Sequence, residues 1–175
     1  EVAGEAKSLL QLGVVFLSSA LMTIGALFLI RAMVARQEGM EGVGQFQAAT
    51  ALSLAYVNVV LQAMGTDFYP RLTAAAEDNG RCNQLVNEQA EISILLALPG
   101  VLVTLALAPW IIHGFYSEKF TDAAEILSWL IAGMILRVAA WPMGYIIIAK
   151  GRGTIFFLTE LAAYTVYAFF SWLGL

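Results

Sequence analysis

Cysteine, histidine and charged residues are all scarce in this chain of 175 residues. Cys82 is the only cysteine and His113 the only histidine. One cysteine excludes a disulfide framework within the chain and a cysteine-based zinc cluster, and one histidine leaves no metal-ligand spacing. We therefore expect no metal and no cofactor. Asp, Glu, Lys and Arg make up only 13% of the residues, about half of their share in soluble domains.

Positive charge and catalytic motifs are also lacking. The formal net charge is −4, so the chain offers no basic surface for nucleic acid. No nucleophile–base set and no nucleotide motif occur at a usable spacing, and we expect no enzymatic activity. The basic turn Lys150-Gly151-Arg152-Gly153 lacks the length and flanking pattern of a phosphate-binding P-loop. It is typical of a positively charged loop on the cytoplasmic side of a membrane.

Hydrophobic residues, by contrast, make up 60% of the chain and come in long blocks. Strands of a membrane barrel would alternate polar and apolar residues, and these blocks do not. Segments of about 20 apolar residues are long enough to cross the roughly 30 Å hydrocarbon layer as helices. The sequence therefore predicts an all-α, polytopic membrane protein, a single helical bundle over residues 1–175. The five predicted spans are residues 9–30, 43–65, 92–115, 122–149 and 154–173.

Turn signals separate these spans. We expect a charged, glycine-rich loop in water over Ala35–Gly44 and a break in the helix at Gly65–Pro70. Residues 67–90 carry charges of both signs, which indicates two short helical extensions in water or at the headgroup level, joined at Asn79-Gly80. The chain does not begin with a methionine and stops at the end of an apolar segment. We expect it to be a piece of a longer protein.

Arg137 is the main candidate functional residue, because it is the only charge in the middle of the fourth span. A charge near mid-depth costs a few kcal/mol or more unless it faces a protein interior or a water-filled cavity. Pro142, five residues later, cannot donate a bond to the carbonyl of Val138, so we expect the helix to bend beside the arginine.

Glu160 is the second ionisable residue expected within the membrane. Tyr164, Tyr167 and Ser171 continue its helical face at steps of 4, 3 and 4. The fourth and fifth spans are joined by a tight turn and should be antiparallel neighbours, so an Arg137–Glu160 ion pair is one expectation. Such a pair either fastens two helices or belongs to a functional cavity, and the sequence leaves both open.

An amide stripe runs along the second span. Gln47, Ala51, Asn58 and Gln62 recur at steps of 4, 7 and 4. Amides in a membrane helix need partners, so this stripe should face other helices or a polar cavity. Interhelical bonding and a substrate path remain equally open alternatives.

Basic residues set the predicted orientation. Five of them fall on one side, Lys7, Arg71, Arg81, Lys150 and Arg152, and three on the other, Arg31, Arg36 and Lys119. The positive-inside rule then places the N-terminus, the long middle segment and the Lys150–Gly153 turn in the cytoplasm.

Three blocks within residues 42–173 resemble the C-terminal half of a Wzx-type polysaccharide flippase, of the multidrug/oligosaccharidyl-lipid/polysaccharide exporter superfamily. They read VGQFQAATALSLAYVNVVLQAMGTDFYPRLT, YSEKFTDAAEILSWLIAGMILRVAAWPMGYIIIAKG and FFLTELAAYTVYAFF. The resemblance implies two bundles of six helices, with the present spans corresponding to helices seven to eleven and an N-terminal half-bundle as the missing partner.

The same resemblance implies a function. Such flippases move undecaprenyl-pyrophosphate-linked oligosaccharide units across the bacterial inner membrane for O-antigen or related surface polysaccharides, with polysaccharide polymerase machinery as a further partner. Their cavities are cationic, a role that Arg137 matches and that Arg31, at a helix end, matches less well. Glu160 matches an acidic position for ion coupling or for holding Arg137.

Four residues are further candidates for contact with sugar, by stacking and hydrogen bonds: Tyr56, Asn58, Tyr164 and Tyr167. Two alternatives to the flippase remain. A cation-coupled drug exporter of the same superfamily would need acidic cavity residues, of which only Glu160 lies well inside a span. A non-transporting membrane scaffold would use the polar residues only to hold helices together.

Overall fold

The computed structural model describes the backbone of residues 2–174 and the side chains of residue 10 and residues 13–173. Lys7, used in the predicted orientation, lies outside the described side chains. The described backbone is helical apart from short turns and contains no strand, which confirms the all-α prediction. The five helices are α1 (Val2–Gln37), α2 (Gly39–Ala74), α3 (Asn79–Phe115), α4 (Ala123–Ala149) and α5 (Gly153–Gly174). All five are long and apolar enough to cross a membrane.

The loop predicted over Ala35–Gly44 is wrong. Helix α1 continues to Gln37 and α2 begins at Gly39, so Glu38 alone separates them. Gly39 has a φ of 72°, in the left-handed region that glycine adopts without steric cost. Gly39 thus allows α2 to begin almost directly after α1. Most of the charged segment is therefore helical.

The break predicted at Gly65–Pro70 is also wrong, because α2 runs without interruption to Ala74. A proline inside a helix costs about 3 kcal/mol. Phe68 and Leu72, on either side of Pro70, are buried in a cluster with residues of α3. Burial of two large apolar side chains offsets a penalty of that size, at about 1.5–3 kcal/mol each.

The turn between α2 and α3 lies just before the predicted Asn79-Gly80 junction. Residues 75–77 form the turn, and Asp78 is the N-cap of α3. Its carboxylate accepts a hydrogen bond from the backbone N–H of Arg81 at 3.0 Å, which satisfies one of the free donors at the helix start. Asn79 and Gly80 are consequently the first residues of α3 and not a turn.

The chain divides into two compact units. This division does not test the prediction of a single bundle. One unit is Glu1–Met40 with Gly151–Leu175, and the other is Glu41–Lys150. In the first unit α1 packs against α5: the rings of Phe16 and Phe156 lie 6.0 Å apart.

Three buried clusters hold α2, α3 and α4 together in the second unit. They contain, in turn, Ala49, Ala108, Ile112, Ala123 and Leu127; Val57, Leu61, Ala97 and Val138; and Phe68, Leu72, Cys82, Leu85 and Val86. Residue numbers rise together along α2 and α4 and fall along α3. Helices α2 and α4 are therefore parallel to each other and antiparallel to α3.

Candidate functional site

Arg137 lies near the middle of α4 with an exposed side chain. It makes no hydrogen bond or ion pair with the described residues of its own unit. No carboxylate occurs in residues 42–66, 92–115 or 126–149, so the apolar parts of α2, α3 and α4 hold no acidic residue that would neutralise it. The second unit thus presents one uncompensated cation at mid-span, a feature that attracts an anion.

Pro142 is buried inside α4, which remains a single helix from Ala123 to Ala149. The bend expected beside Arg137 stays a prediction. Trp141, next to the proline, and Tyr145 each have a ring centroid 6.0 Å from that of Phe68 of α2. This aromatic contact fastens the C-terminal half of α4 to α2.

The amide stripe of α2 is exposed at each of its polar positions, Gln47, Asn58 and Gln62. None of these side chains forms a hydrogen bond with another described residue. An amide that faces acyl chains unpaired is unfavourable, so this stripe requires protein or water beside it. Within the described part of the second unit the stripe does not serve interhelical bonding.

Tyr56 lies on the opposite side of α2, against α3. Its hydroxyl donates a hydrogen bond to the carbonyl of Leu96 at 2.6 Å. Its ring lies over Gly100, where any Cβ would overlap the ring atoms. Here the hydroxyl joins two helices, and the role of Tyr56 in sugar binding stays a prediction.

The remaining candidates belong to the first unit. Glu160 and Tyr164 of α5 are partly buried, and they continue a stripe that begins at Gly153 and Phe156, which lie against Val15 and Phe16 of α1. Tyr167 is 39% exposed. Because Glu160 and Arg137 belong to different units, their ion pair stays a prediction.

Helix α1 carries one further candidate and one polar residue that the sequence did not single out for function. Arg31 is exposed in the second-last turn of α1. Ser19 of α1 is buried. It lies one turn after Val15, which contacts Gly153 of α5. Its hydroxyl has no hydrogen-bond partner among the described residues. No described group of three or more His, Cys, Asp or Glu side chains is placed to hold a metal.

Sequence reasoning missed the contact of Gly65 with α4. A Cβ at Gly65 would lie 3.2 Å from Trp141 Cζ2 and 3.3 Å from Tyr145 Oη. Gly65 therefore allows two aromatic side chains of α4 to lie close to α2. The only sequence signal was the glycine itself, which we interpreted as a helix break.

Comparison with known proteins identifies relatives of this chain. Residues 3–125 match the model of a family described as "Polysaccharide biosynthesis protein". Two proteins, each named "Lipid III flippase", from Escherichia coli (strain K12) and Shigella flexneri, are 26% identical to it over 154 residues. The match covers 85% of this chain and 36% of each relative, so the chain spans about a third of their length. No solved structure matches the chain.

Proposed function

Since the chain belongs to the polysaccharide biosynthesis protein family, we propose that the full-length protein is a flippase for undecaprenyl-pyrophosphate-linked oligosaccharides. The units would cross the bacterial inner membrane for assembly of O-antigen or a related surface polysaccharide. Support comes from the resemblance to two lipid III flippases and from five helices able to span a bilayer. The N-terminus of this chain lies in the cytoplasm in this proposal.

The exposed, uncompensated Arg137 is the observation that carries the proposal. A guanidinium in contact with acyl chains at mid-span costs a few kcal/mol or more. The same group beside a pyrophosphate donates two parallel hydrogen bonds to phosphate oxygens, and such charge-assisted bonds are roughly twice as strong as neutral ones. A substrate with an anionic headgroup and an apolar tail meets both needs, since the headgroup reaches the arginine while the tail stays in the bilayer.

Transport requires more than this chain. In the proposal, an N-terminal half-bundle completes the transporter, and rocking of the two bundles exposes the headgroup site to each side of the membrane in turn. Tyr56, Asn58, Tyr164 and Tyr167 contact the sugar. Arg31 provides a second positive charge near the membrane boundary, and Glu160 couples transport to an ion or orients Arg137.

The test is Arg137→Ala in the full-length protein, expressed in a strain that lacks its own copy, with surface polysaccharide as the readout. We expect output to fall at least tenfold at normal protein levels, because a charge-assisted contact with the substrate is lost. Arg71→Ala is the matched control. Arg71 is also exposed but lies beyond the apolar part of α2 and pairs with Asp67 at 3.1 Å, so its loss should leave output unchanged.

Two results would contradict the proposal. Unchanged polysaccharide in the Arg137→Ala strain removes the arginine from the mechanism. Unchanged polysaccharide after deletion of the whole gene, together with increased sensitivity to cationic drugs, would favour the drug exporter of the same superfamily.

A further inference from the structure

Helices α2 and α4 meet along a seam whose register the contacts define. Gly65 of α2 faces the side chain of Trp141 of α4. Because the two helices are parallel, residues that precede Gly65 and Trp141 by equal distances lie at equal depths. Each residue accounts for about 1.5 Å along the axis.

Asn58 and Gln62 lie on the exposed face of α2 beside Gly65, which contacts α4. Asn58 precedes Gly65 by seven residues, a rotation around the helix axis that is about 20° short of two full turns. Gln62 precedes Gly65 by three residues, a rotation about 60° short of one full turn. Tyr56, on the other side of α2, bonds to Leu96 of α3. The two amides therefore lie toward α4 and away from α3.

Arg137 lies level with these amides. It precedes Trp141 by four residues, about 6 Å, while Gln62 and Asn58 precede Gly65 by about 4.5 and 10 Å. On α4, Arg137 lies about 40° from Trp141, which faces α2, so it is on the same edge of the helix pair. Neighbouring helices are about 8–10 Å apart, a gap that the long arginine side chain spans to a large extent. We call Asn58, Gln62 and Arg137 the α2–α4 edge.

The α2–α4 edge has unused hydrogen-bonding capacity. All three side chains are exposed, and none forms a hydrogen bond or ion pair with described residues of the second unit. An amide provides two donors and an acceptor, and a guanidinium provides five donors. Left in contact with lipid, this set would be costly, and an occupant that carries both negative charge and hydroxyl groups matches all three side chains.

We infer that the α2–α4 edge is one recognition site for the junction of phosphate and first sugar in a lipid-linked saccharide. Arg137 holds phosphate oxygens, and Asn58 and Gln62 exchange hydrogen bonds with hydroxyls of the adjacent sugar. The inference rests on the proposed function and deepens it in two ways. It assigns Gln62 to substrate binding, and it assigns the phosphate to the arginine and the sugar to the amides. The site lies within one compact unit.

Binding to the full-length protein in lipid nanodiscs tests this site with two probes. One is farnesyl pyrophosphate, which has the anion but no sugar, and the other is the same lipid bearing one N-acetylglucosamine. The variants Asn58→Leu and Gln62→Met keep side-chain volume and remove the amides. Gln47→Met is the matched control, since Gln47 is an exposed amide of the same stripe, but lies about 21 Å from Arg137 along the axis.

We expect Arg137→Ala to weaken both probes at least tenfold, because a contact with a charged group is lost. Asn58→Leu and Gln62→Met should each weaken the sugar-bearing probe about three- to tenfold and leave the bare pyrophosphate unchanged. Gln47→Met should change neither. Arg137→Lys should recover part of the pyrophosphate affinity, since it keeps the charge but not the two-pronged geometry.

The outcomes separate failure of the site from failure of the proposed function. If the wild-type protein binds neither probe, the proposed function and this site are both wrong. If it binds both but Gln62→Met and Asn58→Leu behave like Gln47→Met, the function stands and the amides are not part of the site. If Arg137→Ala binds both probes normally, the arginine does not hold the phosphate and the inference is overturned.

Discussion

Gly100→Ala tests the packing of α2 against α3 at a single atom. Tyr56 donates its hydrogen bond to Leu96, one turn before Gly100, and this bond holds the ring over the glycine. A Cβ at Gly100 would lie 2.5 Å from Cδ1 and Cζ of Tyr56 and nearer still to Cε1. Such separations are well inside van der Waals contact, so the ring or the helix has to move.

The expected cost combines three contributions. Forcing a methyl group into a packed contact costs about 1–3 kcal/mol, and moving the ring gives up a hydrogen bond with a net value of about 0.5–1.5 kcal/mol. Alanine returns about 1 kcal/mol through its higher helix propensity. The net loss of unfolding free energy is therefore about 2 kcal/mol.

Thermal unfolding of the purified full-length protein in detergent measures this loss. Gly133→Ala on α4 is the control, because no atom lies within 4 Å of a Cβ at Gly133, and it should leave stability unchanged or raise it. Combining Gly100→Ala with Tyr56→Ala should cost less than the sum of the single changes, since the clash disappears with the ring. Equal unfolding midpoints for Gly100→Ala and Gly133→Ala would refute this account of the contact.

Three further predictions concern stability. Ser19→Ala should leave the unfolding midpoint unchanged or raise it, because the buried hydroxyl has no partner among the described residues and burying an unsatisfied group costs about 1–3 kcal/mol; a clear loss would show that the hydroxyl is bonded. Gly39→Ala should lower stability by about 1–2 kcal/mol, since its φ is 72° and a Cβ is strained in that region; Gly13→Ala, also without close neighbours, provides the comparison. Asp67→Asn should change stability by less than about 0.5 kcal/mol, because its pair with Arg71 is solvent-exposed; a larger change, measured with Glu77→Gln as control, would argue for a role beyond this pair.

The five spans were predictable because each depends on a local quantity, the length of an apolar run. The described backbone has five helices that are long and apolar enough to cross a membrane, the number that the apolar runs predict. The ends of the helices were not predictable in the same way. Pro70 reads as a helix breaker, yet burial of Phe68 and Leu72 keeps α2 intact, and that burial depends on how α3 packs back against α2.

The candidate site was likewise predictable only where it depends on local sequence. Arg137 and Glu160 stand out in the sequence because a charge in an apolar segment is rare and costly. The amides of α2 stand out by helical spacing alone. Their depth relative to Arg137 was not accessible, since it depends on how far α4 is displaced along α2, and the contact of Gly65 with Trp141 sets that displacement.

From its sequence alone, this chain is determined to be a helical membrane protein with a cation at the middle of its fourth span. The reason is that the free energy of transferring apolar side chains out of water adds up over a continuous segment. It depends on the residues of that segment and not on the helices beside it. Only the tertiary structure decided that Tyr56 faces α3 while Asn58 and Gln62 lie on the side of α4 that bears Arg137. The rotation and register of packed helices follow from side-chain shape at their contacts, and a contact such as that of Tyr56 with Leu96 joins residues 40 positions apart in the chain.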